Sequence, residues 1–341
     1  MSNGVTPFRG LLRDLFILLA YAYRGELVVS SRGCLQQNKI KKVTDSLQVS
    51  STILRQTKLT YTFCDRYEPQ LALALDAAIF LGLLTSDLKR YLIQVDCLME
   101  WLSLPEQEQS LQLYTYWKQV HDPQDEKTQL FVKIIEEIPH GNEVSLHDLI
   151  NDLEDDALLT DEWLQHMQNI WIAPLCALGW LEQREVSSDN LYLCSFLPKS
   201  NPIEVASSPL PSLYVQPDYE IIVLPHASFA TRWQAMQFTA NWIWDEVTTL
   251  QLTSQSVSAA LDNGQTYESI RGFMNEHSIH EIPDHVLDMM ERWANREMMR
   301  SEQKSMSQAG TGVCTSVECD PPRRIMLIRQ NVAVLGDFDP V

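Results

Sequence analysis

At 341 residues, 45% hydrophobic and 21% charged, the chain has enough apolar material for two or three packed domains and does not have a disordered chain's composition. No window of about 18 apolar residues is free of charge, which argues against a helical membrane span. The net charge of −19 argues against a general nucleic-acid binder, because phosphate contacts need Lys and Arg. The charge is uneven, however. Residues 1–60 hold nine Lys and Arg against Asp14, Glu26 and Asp45, a balance of 9 − 3 = +6. Residues 139–200 hold eleven acids against Arg184 and Lys199, a balance of 2 − 11 = −9. Such asymmetry suits different parts of the chain to different partners.

The apolar opening "LLRDLFILLAYAY" carries Arg13 and Asp14 and is followed by no small-residue cleavage site. It reads as a buried helix with Leu11, Leu12, Leu15, Leu18 and Leu19 on one face, not as a signal peptide. The protein is therefore expected in the cytoplasm, with Cys34, Cys64, Cys97, Cys176, Cys194, Cys314 and Cys319 as reduced thiols. "ELVVSSRG" reads as a short strand and "QNKIKKVTDSLQ" as a polar helix with Ile40 and Val43 inward. "QLALALDAAIFLGLL" is a buried helix; "DLKRYLIQVDCLMEWLSL" and "EQEQSLQLYTYWKQV" are amphipathic helices with Trp101 and Trp117 in the core. These elements form an N-terminal region, 1–122, that is helical and winged-helix-like.

"HDPQDEK" marks a boundary near residue 123. A second winged-helix-like domain, 123–200, follows: "TQLFVKIIEEI", then "SLHDLINDLE" capped by Ser145, then "TDEWLQHMQNIWIAPLCALGW" from Thr160 to Gly179, then a hairpin turning at "SSDN". In DNA-binding versions the third helix carries Arg, Lys, Asn or Gln into the major groove. Here it starts with Asp161 and Glu162 and has no Lys or Arg through Trp180, so this unit reads as protein-binding or purely structural. After "ASSPLPS", a third domain spans 210–341. "LYVQPDYEIIVLP" is a hairpin turning at Pro217–Asp218. "SFATRWQAMQFTANWIW" reads as a helix. Thr253 or Ser254 caps the next helix, which Gly264 ends; Thr266 caps another, and Pro283 opens a fourth. "SEQKSMSQAGTG" reads as a loop, and "VCTSVEC" and "RRIMLI" as closing strands. The expected fold class is α+β, mostly helical, with winged-helix-like units followed by a small α/β domain.

Recognisable chemistry is scarce. There is no P-loop, nucleophile elbow, zinc-protease helix or dinucleotide fingerprint. Asp152, Glu154 and Asp156 alternate as in a calcium loop, but Ala157 stands where glycine is needed and Trp163 where glutamate is needed. Cys314 and Cys319 lack two further zinc ligands of matching spacing. No catalytic residue, metal or cofactor is expected. The one candidate site is the basic cluster of Arg32, Lys39, Lys41 and Lys42. If the polar helix that follows Gly33 is a recognition helix, these side chains can contact phosphates; otherwise they are a solvated face.

The pieces "LYVQPDYEIIVLP", "LTSQSVSAALDNGQTYESI" and "IPDHVLDMMERWA" stand in an order that resembles the N-terminal domain of the XPB-type DNA helicases. The opening "RDLFILLAYAYRGELVVSSRGCLQQNKIKK", with "FLGLL" and "MEWLSL", resembles bacterial helicase-associated proteins that carry the same domain. The resemblance implies a domain for partner contacts and DNA engagement, while this chain has no motor of its own. It implies a non-enzymatic accessory protein bound to a helicase or ATPase, in a DNA-repair or transcription complex, with room for a DNA contact. A stand-alone winged-helix DNA-binding regulator that uses the basic N-terminal segment is the alternative. An enzyme would need a site that the sequence does not show.

Overall fold

In a computed structural model, residues 8–31, 33–57, 61–87, 89–151, 161–187, 190–198, 210–244 and 247–309 are described. They form an α+β protein, mostly helical, with small antiparallel sheets. Its contacts divide it into two units. The first takes in the described residues of Met1–Leu210 and Leu224–Trp233, the second those of Pro211–Val223 and Gln234–Val341.

The first unit begins with α1, Gly10–Tyr23, a leucine-rich helix buried on nearly every side, the expected leucine face included. Leu27–Val29 is extended but makes only bridges, Val28 to Arg90 and Val29 to Leu35. Then come α2, Gln37–Ser46, of which only Val43 is buried, and α3, Ser51–Gln56. Helix α4, Pro69–Phe80, starts on a proline that fits the first turn because its missing N–H has no partner there anyway. The hairpin of β1, Leu84–Ser86, and β2, Tyr91–Ile93, follows, with Leu84 opposite Ile93. The amphipathic helix expected over 87–104 is thus shorter, because Tyr91–Ile93 is a strand; α5 spans only Val95–Ser103. Helix α6, Glu106–Val120, buries Trp117 completely.

A second run has the same order. Helix α7, Glu126–Glu137, is capped by the Asp125 carboxylate, which accepts the Thr128 N–H at 2.8 Å. Strand β3, Glu143–Ser145, leads into α8, Leu146–Asn151, so Ser145 ends a strand where a helix cap was expected. Helix α9, Asp161–Met167, passes through a π-turn, Gln168–Ile172, into α10, Ala173–Ala177. Strands β4, Leu181–Ser187, and β5, Asn190–Ser195, complete a sheet ordered β3-β5-β4. In both runs a helix, an extended segment, further helices and a hairpin follow one another, and the first extended segment pairs with the last strand. This is winged-helix topology, found twice within one unit.

The two modules meet backbone to backbone. Leu178 O accepts the Leu11 N–H at 3.2 Å, and Arg9 Nε donates to Gly179 O at 3.3 Å. Gly10 has φ +59°, and a Cβ on it would lie 2.1 Å from Leu178 O, so only glycine fits there. The first module also has an aromatic core, in which Phe229 sits 4.7 Å from both Phe16 and Trp101, edge to face. Each such pair is worth about 0.5–1.5 kcal/mol beyond its burial.

The second unit opens on β6, Leu213–Val215, and β7, Glu220–Val223, the expected hairpin. Tyr219 N donates to Gln216 O, which places Pro217 and Asp218 at the turn's centre, and Tyr219 follows at φ +71°. Helix α11, Phe229–Gln237, has residues in both units and stops well before the expected end. β-Branched and aromatic residues take over there as β8, Ala240–Trp244, with Asn241 at φ +49° in a bulge, and as β9, Thr248–Gln251. The sheet runs β6-β7-β9-β8. Three helices complete the unit: α12, Ser254–Asp262, α13, Tyr267–His277, and α14, Asp284–Ala309. Thr253 and Thr266 cap α12 and α13 with reciprocal serine bonds, and Gly264 at φ +93° follows α12. Residues 301–309, expected as loop, continue α14; the two expected closing strands lie outside the described residues.

Candidate nucleic-acid interface

The basic cluster is held by one carboxylate. Helix α2 brings Lys39 and Lys42 onto the same side, one turn apart, and Glu26 Oε2 accepts from both Nζ atoms at 3.0 Å. Burial acts to raise the Glu26 carboxyl, but the two ammonium groups outweigh it and hold it below the usual carboxylate range. Lys42 Nζ also lies 5.2 Å from the Tyr21 ring centroid. Lys41, between them, is exposed, and Arg32 lies outside the described residues. The structure therefore brings Lys39 and Lys42 together around an acid.

The expected recognition helix is also displaced. Helix α2 is the second helix of its module; the third, the short α3, carries Arg55, which pairs with Glu68, and α4 is the helix that leads into the hairpin. Leu71 through Leu75, Ala77 and Ala78 of α4 are buried, and no residue in Pro69–Phe80 is Lys or Arg. Its exposed end is Ile79 and Phe80. In the second module the third helix exposes Glu162, Gln165 and His166. On the adjoining hairpin, Arg184 is taken up by Glu143 and Glu182. Neither module can offer phosphates a row of cations from the helix that leads into its hairpin.

Buried ionisable groups sit elsewhere in the first unit. Asp14 is fully buried; Oδ1 accepts the Gln48 N–H at 2.7 Å and Oδ2 the Val49 N–H at 2.9 Å, which ties α1 to the turn before α3. Burial raises its carboxyl to about 6, against the lowering pull of these bonds and of Arg13. Glu106, at the start of α6, accepts the Phe229 N–H at 3.0 Å. Burial lifts it to about 7, and nearby Arg232 opposes the rise. Arg232 itself is buried, donates to the carbonyls of Leu224, Pro225 and Ala227, and covers the Phe8 ring at 4.0 Å. Tyr116 donates to Asp76 and Tyr114 to Glu136, and burial raises both phenols. Each is a satisfied structural bond, and none sets a nucleophile beside a base.

His121 closes on the π-turn, where Pro174 has no N–H to offer the Ile170 carbonyl. His121 stacks on Trp171, centroids 4.5 Å apart, and its Nε2 lies 2.7 Å from Ile170 O. Burial holds this imidazole below its ordinary range, so it is neutral and Nε2–H is the donor. That bond occupies a carbonyl within the irregular turn. A hollow of about 250 Å³ beside it is lined by His121, Trp163, His166 and Trp171. Sequence periodicity could not show this, since a π-turn differs from α-helix by one residue. Among the described residues no three His, Cys, Asp or Glu side chains gather as a metal site, the five described cysteines are free, and no helix is long and apolar enough to cross a membrane. The calcium-like run and Cys314 and Cys319 lie outside the described residues. No protein-family description matches the chain, and no curated protein is significantly similar to it.

Proposed function

We propose that this protein is a non-enzymatic accessory protein of a helicase or related ATPase, held to it by protein–protein contacts within a DNA-repair or transcription complex. The partner class rests on the sequence resemblance to XPB-type helicase N-terminal domains. The single observation that carries the protein-binding half is that the helix leading into each hairpin presents no Lys or Arg, while Lys39 and Lys42 are engaged by Glu26 and Arg55 by Glu68. A winged helix without a basic reading head retains a rigid scaffold whose surfaces are free for protein contacts.

The test is affinity purification of the tagged full chain from its own cells, with nuclease treatment to remove bridging DNA. The proposal expects a DNA-dependent ATPase to co-purify and to survive the nuclease. An ATPase that disappears with nuclease, or none at all, sinks it.

A further inference from the structure

Resting on the accessory-protein reading, we infer that the trough between α12, α13 and α14 is a docking groove for a basic amphipathic helix of a partner protein. The trough encloses about 630 Å³ within the second unit. On α14 it is lined by Glu291, Ala294, Asn295 and Met298, at i, i+3, i+4 and i+7 on one helical face, with Glu297 at its edge. Ala294 is buried, and its small side chain leaves the floor low and apolar. Met298 is 59% exposed and its neighbour Met299 64%, although unbranched thioethers are ordinarily covered unless they serve a contact surface. Four carboxylates line the trough, those of Asp262, Glu268, Glu291 and Glu297, against one guanidinium, Arg271. Glu297 is nearly buried and takes Arg300 at 3.4 Å, whereas Asp262, Glu268 and Glu291 are exposed on the rim.

An apolar floor, one exposed methionine and an acidic rim are complementary to a helix with an apolar stripe flanked by Lys or Arg. Nucleic acid and acidic segments are repelled by the same rim. Acidity alone does not make this pattern: the hollow beside the π-turn also holds two carboxylates, Asp122 and Asp125, but its one methionine, Met167, is buried.

The experiment is fluorescence anisotropy of the full chain with two labelled 18-residue helical peptides, one of Leu and Lys, the other with Glu in place of Lys. The Leu–Lys peptide is expected to bind at least about tenfold more tightly. Glu268→Lys with Glu291→Lys should abolish that preference, and Met298→Gln should weaken the Leu–Lys peptide about threefold or more. Glu100→Lys with Glu108→Lys, the same charge change on exposed sites of the first unit, should leave it unaltered. Equal affinity for both peptides, no binding, or an equal loss in the control variant overturns the groove. A failed groove with an ATPase still co-purifying leaves the accessory reading intact; peptide binding without any ATPase does the reverse.

Discussion

Replacing Asp14 by Ala removes both acceptors from two backbone N–H groups, of which Val49 N is buried and Gln48 N partly so. A buried donor left unpaired costs about 1–3 kcal/mol, so the pair is worth roughly 2–4 kcal/mol when the carboxyl is mostly neutral. The cost depends on pH. The folded carboxyl sits at about 6, above its ordinary 3.8, so its stabilising contribution is fully present below 3.8 and is lost as pH rises through about 6. The whole loss is on the order of 3 kcal/mol, of which about 1 kcal/mol falls between pH 5 and 7. Glu106 titrates in the same direction over a similar window, so the wild-type slope alone would mix the two groups. The difference between wild type and Asp14→Ala isolates Asp14. Urea unfolding followed by tryptophan fluorescence should show the variant less stable at about pH 5, with the gap narrowing by about 1 kcal/mol at about pH 7. A gap that widens with pH, or a variant as stable as wild type at pH 5, would refute the assignment of buried, doubly bonded Asp14.

Arg232→Ala should cost about 3–5 kcal/mol, because it strips three carbonyls of their donor and leaves Glu106 without its buried counter-charge; thermal unfolding reads this, and Arg232→Lys should not restore it. Gly10→Ala should lower stability by more than about 2 kcal/mol in the same assay, since Leu178 O occupies the place of the new methyl, whereas Gly25→Ala meets only backbone strain. Tyr219→Gly should be close to neutral in urea unfolding: relief of the positive φ, about 1 kcal/mol, offsets the ring's contact with Trp293 at 5.7 Å.

The fold was legible where a local signal and burial agreed. The leucine face of α1, the hairpin at Pro217–Asp218, and the caps at Thr253 and Thr266 are written in adjacent residues. It was not legible where tertiary pairing overrides propensity. Tyr91–Ile93 and Ala240–Trp244 adjoin or interrupt helical patterns, and pairing with Leu84–Ser86 and Thr248–Gln251 lets their β-branched and aromatic residues settle as strands. The candidate site shows the same limit. Charge counting found Lys39, Lys41 and Lys42, but no spacing rule places Glu26, thirteen residues before Lys39, between two of them. Nor could it tell that α4, not α2, would lead into the hairpin. The groove on α14 was in plain view as Glu291, Ala294, Asn295 and Met298, but one amphipathic face looks the same in sequence whether or not a neighbour covers it.

The proposal that this chain holds a protein and does not read DNA is open to a direct test. Fluorescence anisotropy of the full chain with single-stranded, duplex and forked DNA, at low and near-physiological salt, tests it most directly. No binding is expected at near-physiological salt, and no difference between wild type and the Lys39→Glu, Lys41→Glu, Lys42→Glu triple variant. Binding that persists there, falls with salt by a slope of roughly 0.9 per phosphate contact, and is lost in the triple variant would contradict it.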